Sequence, residues 1–114
     1  MESRTSWKCV FLFTASIAMA GAQAQTEETI PIRYAGSQYY PPLESLNSQG
    51  EAEGYISDLI RAMAASTGDT LEFHLQSWHR AQQSVLDGEA DVIAMIASAP
   101  RAEHYDFTTP FYYV

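Results

Sequence analysis

The run Val92-Ile93-Ala94-Met95-Ile96 contains no polar side chain and no alternation. Successive residues of a strand point to opposite faces, so a strand built from this run needs cover on both sides. A parallel sheet with a helical layer on each face provides that cover. This segment therefore sets the expectation for the whole chain: strands separated by helices, rather than a run of hairpins.

The rest of the sequence fits that expectation. Residues 30–35 read as a strand closed by Gly36, and residues 39–42 as a turn whose prolines exclude regular structure. Residues 43–53 are polar, with Asn47-Ser48-Gln49-Gly50 as a hairpin turn. Ile56, Leu59, Ile60, Met63 and Ala64 recur at helical spacing, with Ser57 as the expected cap and Gly68 as the stop. In residues 70–75, Leu71, Phe73 and Leu75 alternate with Glu72 and His74, the pattern of a half-buried strand. Residues 78–86 form a second helical segment stopped by Asp87-Gly88, Ser98 opens a short helical turn, and residues 107–114 return to extended structure around Pro110. The order is α/β, with a mostly parallel sheet flanked by helices.

Residues 1–24 carry the three-part pattern of a secretory signal peptide. Arg4 and Lys8 precede an apolar stretch over residues 9–20, and Ala22-Gln23-Ala24 supplies a small-x-small cleavage site. The stretch is short of the about 20 residues that a membrane-spanning helix needs. Cys9, the one cysteine, leaves with this leader, so the mature chain has no disulfide framework. Residues 25–29 then serve as an acidic linker. The whole chain has 14 acidic residues against 6 basic ones and a formal charge of −8, which opposes binding to nucleic acid or an anionic membrane surface. The closing Phe111-Tyr112-Tyr113-Val114 carries no stop signal, and residues 30–114 are expected to be an incomplete domain.

Several separated motifs extend this reading. Tyr40-Pro41-Pro42-Leu43, Gly54-Tyr55-Ile56-Ser57-Asp58-Leu59, Trp78-His79-Arg80-Ala81, Gly88-Glu89-Ala90-Asp91 and the stretch from Arg101-Ala102 to Asp106-Phe107-Thr108-Thr109-Pro110-Phe111 follow one another in order. Together they resemble the family 3 bacterial extracellular solute-binding proteins, whose fold is the two-lobed type II periplasmic binding protein. The resemblance implies that residues 30–114 form the incomplete first lobe. It also implies a periplasmic location, a small polar solute such as an amino acid or related carboxylate, and a membrane permease or signalling domain as partner.

The candidate ligand-binding residues are Arg101, Ser98, Tyr40, Trp78 and Ser37. A guanidinium beside a helix start offers a planar fork and free N–H groups to a carboxylate, which makes Ser98-Ala99-Pro100-Arg101 a candidate anion clamp. The resemblance gives Arg101 that role and Ser98 the cap position. The bland alternative is a surface arginine paired with Glu103 or Asp106. Tyr40 and Trp78 follow the first and second strands, where ligands bind in open α/β sheets. Both are candidate cleft walls, with ordinary half-buried aromatics as the alternative and Tyr39 competing with Tyr40. Two departures from the family pattern bear on the ligand. Ile96 stands where many amino-acid binders carry a small hydroxyl residue, with the spacing from Asp91 to Arg101 one residue short. Ser37 stands where binders of basic amino acids carry an acid.

No nucleophile elbow, phosphate loop or Ser-His-Asp order occurs, and no catalytic residue or cofactor is assigned. His74, His79 and His104 lack metal-ligand spacing and read as surface residues. The expected activity is non-enzymatic solute binding for an ABC-type transporter. The rivals are the sensor region of a membrane-bound kinase or cyclase, the non-catalytic module of a lytic transglycosylase, and a truncated product without function.

Overall fold

The computed structural model describes Gly21 and residues 27–112. Apart from Gly21, the leader lies outside the described residues, and residues 27–29 are exposed and irregular. The chain then forms β1 (Ile32–Ser37), β2 (Tyr39–Tyr40), β3 (Glu44–Leu46), β4 (Ala52–Glu53), α1 (Tyr55–Thr67), β5 (Leu71–Gln76), α2 (Trp78–Leu86), β6 (Val92–Ile93) and α3 (Ala99–Ala102).

Two sheets share these strands. The main one is parallel, in the order β5-β1-β6, with Ile32 opposite Leu71, Ser37 opposite Gln76, and Tyr34 opposite Val92. The smaller one is the antiparallel β2-β3-β4, with Tyr40 opposite Glu44. Its β3-β4 turn is built as the sequence indicates: Asn47 Oδ1 accepts from the amides of Gln49 and Glu51 at 2.9 Å, and Gly50 takes a left-handed φ of 78°.

One face of the main sheet is closed by α2. Ala35 on β1 and Ala81 on α2 are completely buried, and with Ala90 they let the helix approach closely, while Trp78, Val85 and Ile93 pack around them. On the other face Tyr34 is fully buried, its ring edge-on to Phe73 at 5.5 Å. Such a pair contributes about 0.5–1.5 kcal/mol beyond its buried area. Here α1 presents Ile60 and Ala64, leaving a groove of about 220 Å³ beside Met63 and Val92.

Four expectations are corrected. The first strand runs through Gly36 to Ser37, because glycine leaves room at a crowded point: a Cβ there would stand 2.5 Å from Glu44 Oε2. Tyr39–Tyr40 pairs as a strand ahead of the two prolines, whose lack of an N–H matters only from Pro41 onward. Of the apolar run only Val92–Ile93 joins the ladder. Val92 and Ile96 are 42% and 58% exposed, since β6 is an edge of the sheet and α2 covers only one side. Residues 107–112 form no strand; Phe107, Phe111 and Tyr112 are exposed, with the Tyr112 ring 6.2 Å from that of Tyr55.

The helix starts differ as well. Ser57 lies inside α1, fully buried, and its hydroxyl donates to the Glu53 carbonyl at 3.2 Å. The free amides of Tyr55 and Ile56 are instead met by the carbonyls of Pro42 and Leu43, at 3.1 and 2.8 Å. That contact requires glycine at position 54, whose φ is 111° and whose Cβ would lie 2.6 Å from the Leu43 carbonyl oxygen. Gly68 ends α1 in the left-handed conformation, as its position predicts.

Candidate functional site

The carboxyl ends of the three parallel strands all point to one edge of the main sheet, where open α/β sheets bind their ligands. Ser37 is the last residue of β1, Trp78 follows β5 by two residues, and Ser98 and Arg101 follow β6. The register extends one step past the strands, with the Gln38 amide donating to the Gln76 carbonyl at 2.8 Å.

Arg101 is half-buried and held at two points. Its Nη1 donates to the Ile96 carbonyl at 2.7 Å, and its Cζ sits 5.8 Å from the centre of the Trp78 ring. Among the described residues no carboxylate makes an ion pair with it, and neither Glu103 nor Asp106 does so. The guanidinium therefore keeps donors in reserve for an anion. Trp78, half-buried as the first residue of α2, acts as the shelf against which that group rests.

Ser98 occupies the cap position of α3 with φ −150°, but its side chain makes no cap hydrogen bond. With only four residues, α3 aligns few peptide dipoles, so anion attraction at this point rests on the arginine. Tyr105 ties the segment down, donating its hydroxyl proton to the Gln82 carbonyl on α2 at 3.1 Å.

Ser37 and Tyr40 belong to a second group on the same edge. The Ser37 hydroxyl accepts from the Tyr39 amide at 3.3 Å. Tyr39 and Tyr40 are 79% and 53% exposed and, as neighbours in β2, face opposite ways. No hydrogen bond links this group to Arg101.

Sequence reasoning passed over Glu44. It is 2% exposed, and its carboxylate accepts from the Ser37 amide at 2.7 Å and from the Tyr34 hydroxyl at 2.8 Å. Burial pushes its carboxyl above the usual range, against the two hydrogen bonds that favour the charged form. Burial, followed by the nearby Glu44 charge, pushes the Tyr34 hydroxyl up as well. The other unforeseen pairing lies at the amino ends of the strands, where Asp91 takes a two-pronged contact from Arg33 at 2.7 and 3.1 Å. The Arg33 guanidinium and amide hold the Asp91 carboxyl down at about 2.

A hollow of about 370 Å³ between α2 and α3 is lined by His79, Gln82, Arg101, His104 and Tyr105, but by none of Ser37, Tyr40, Trp78 or Ser98. It is a groove between two helices that shares only Arg101 with the strand-end group. It brings together two histidines far apart in sequence. Among the described residues, no three His, Cys, Asp or Glu side chains are placed to hold a metal.

The comparisons bear on the family and the fold. Residues 32–114 match the model of the bacterial extracellular solute-binding proteins, family 3. The chain belongs to that family. It is 32% identical over 82 residues to a protein of Neisseria gonorrhoeae described as histidine-binding, covering 70% of this chain and 31% of that one. It is 31% identical over 103 residues to a protein of Escherichia coli K12 described as an ABC transporter arginine-binding protein, covering 89% and 42%. Among solved structures it superposes on a histidine kinase sensor domain with similarity to periplasmic binding proteins, at TM-score 0.68 and 36% identity, over 70% of this chain and 36% of that one. The chain thus spans less than half the length of each of these relatives. Its parallel sheet and flanking helices are part of one lobe of the two-lobed periplasmic binding protein fold.

Proposed function

We propose that this chain provides the first-lobe half of a periplasmic receptor for a small amino-acid-like solute, exported by the leader in residues 1–24 and serving an ABC-type transporter. The observation that carries the reading is Arg101, anchored by the Ile96 carbonyl and Trp78 at the carboxyl edge of the sheet and unpaired with any carboxylate among the described residues. It would donate to the ligand carboxylate, with Ser98 contributing backbone contact and Tyr40 and Ser37 lining the facing wall. The names of the histidine- and arginine-binding relatives support an amino-acid ligand. Closure of a second lobe over this edge would follow from a ligand that touches both lobes and so stabilises the closed state. The role is binding, with no catalytic step.

Calorimetry of the full-length protein with L-histidine, L-arginine and L-glutamine tests this reading. Binding of at least one is expected, with Arg101→Ala weakening it by roughly 10- to 100-fold through loss of a charge-assisted hydrogen bond. Unchanged affinity in Arg101→Ala would remove Arg101 from the site.

A sensor region is the second reading, favoured by the 36% identity to a kinase sensor domain. The exposed Ile96 supports it too, since an apolar side chain stands at the site edge where a hydroxyl would serve an amino group. A membrane helix followed by signalling domains downstream would decide for the sensor.

A further inference from the structure

Glu44 is a carboxylate buried without a cation: among the described residues no arginine or histidine lies within ion-pair reach. Such a charge is destabilising for the fold that encloses it. What it supplies is geometric. Oε1 accepts from the Ser37 amide at 2.7 Å and Oε2 from the Tyr34 hydroxyl at 2.8 Å, so one side chain on β3 grips the end of β1 at two points. Gly36 lets it approach that closely. Glu44 is also the residue paired across from Tyr40 in the small sheet. It therefore joins both candidate ligand residues of this wall, Ser37 by hydrogen bond and Tyr40 by strand pairing.

We infer that Glu44 is a positioning residue of the ligand site, fixing from beneath the turn that carries Ser37 to Tyr40. The inference rests on the proposed function, because it takes that turn as a wall of the cleft. No apolar side chain offers acceptors in these directions, so the turn is held by the two hydrogen bonds, and the buried carboxyl that supplies them is no contribution to stability.

The test uses the full-length protein with Glu44→Ala, Glu44→Gln and, as a control at the opposite end of the sheet, Asp91→Asn. Two measurements are made: amide hydrogen exchange of Ser37 relative to the β5 amides without added ligand, and calorimetric affinity for L-arginine, L-histidine and L-glutamine. In Glu44→Ala, Ser37 exchange is expected to accelerate about tenfold more than β5 exchange, and any probe bound by the wild type to weaken about tenfold. Glu44→Gln, which keeps an acceptor, restores most of both, and Asp91→Asn changes neither. Ser37 exchange that rises only in step with β5, or affinity that survives Glu44→Ala intact, overturns the inference. If Glu44→Ala does not fold, Glu44→Asp withdraws the carboxylate without emptying the site and is judged by the same criteria. If the wild type binds none of the probes, the solute reading falls, and the exchange measurement alone decides the role of Glu44.

Discussion

The two ends of the parallel sheet are each held by a carboxylate, and the two carboxylates are in opposite situations. At the amino end Asp91 is 44% exposed, lies in the fork of Arg33, and titrates below its usual range. At the carboxyl end Glu44 is buried, has neutral partners and titrates above its range. The first is a fastening that favours the fold. The second is maintained against the fold's own preference, and it lies under the edge where the candidate ligand groups collect. The difference separates an end that only has to stay closed from an end that has to keep a shape.

The largest effect that would sharpen this contrast is expected from Gly36→Ala. The new Cβ would meet Glu44 Oε2 at 2.5 Å and Leu75 Cδ2 at 2.8 Å, and overpacking of this kind costs about 1–3 kcal/mol. Thermal unfolding should register it as a drop of several degrees; an unchanged midpoint would mean that Glu44 has room to move and does not grip β1. Tyr34→Phe comes next. It leaves Glu44 Oε2 without a donor inside the core, a loss of about 1–2 kcal/mol, readable by urea denaturation.

The pH dependence sets the two ends directly against each other. Asp91 has a folded-state value of about 2 against an ordinary 3.8, so its contribution is full above pH 4 and disappears as pH falls toward 2. Glu44 is shifted the other way from 4.5: the folded state holds its proton more tightly, so its effect on stability improves as pH falls and worsens as pH rises past the ordinary value. Unfolding midpoints measured from pH 7 to 2 should therefore fall less steeply below pH 4 in Asp91→Asn than in the wild type. Glu44→Gln should lose the gain on mild acidification. Identical profiles for the two variants would collapse the distinction between the ends. The smallest expected effect is that of salt. The partly exposed Arg33–Asp91 pair should weaken as ionic strength rises, so added sodium chloride should narrow the stability gap between wild type and Asp91→Asn.

Much of the fold was legible because its signals are local. Trp78–Leu86 is a helix over the span its sequence indicates, Gly68 and Gly88 stop their elements in left-handed conformations, and Asn47 organises its own turn. The misread features depend on partners far along the chain. The start of α1 is satisfied by the Pro42 and Leu43 carbonyls rather than by a side chain of its own, so Ser57 was misplaced as a cap. The Arg33–Asp91 contact spans 58 residues, and nothing around either residue announces the other. Glu44 sits in a polar stretch that reads as surface and is buried only because the small sheet folds it beneath β1. In the candidate site, the Ser98–Arg101 segment reads from sequence as one clamp and Trp78 as a separate candidate, and Arg101 and Trp78 are neighbours in space, whereas Ser37 and Tyr40 form a separate group whose link through Glu44 carries no sequence signature.

The place of β1 between β5 and β6 has a consequence for how the molecule is made. Of the described strands, β1 leaves the ribosome first, and both of its neighbours follow only after the small sheet and at least one helix. Until Leu71–Gln76 and Val92–Ile93 have followed, both of its edges stand open, and parallel pairing of this kind is slow to form. A chain delivered from one end therefore passes through an interval in which its central strand is a template for any other copy nearby, and the rate of delivery sets how long that interval lasts.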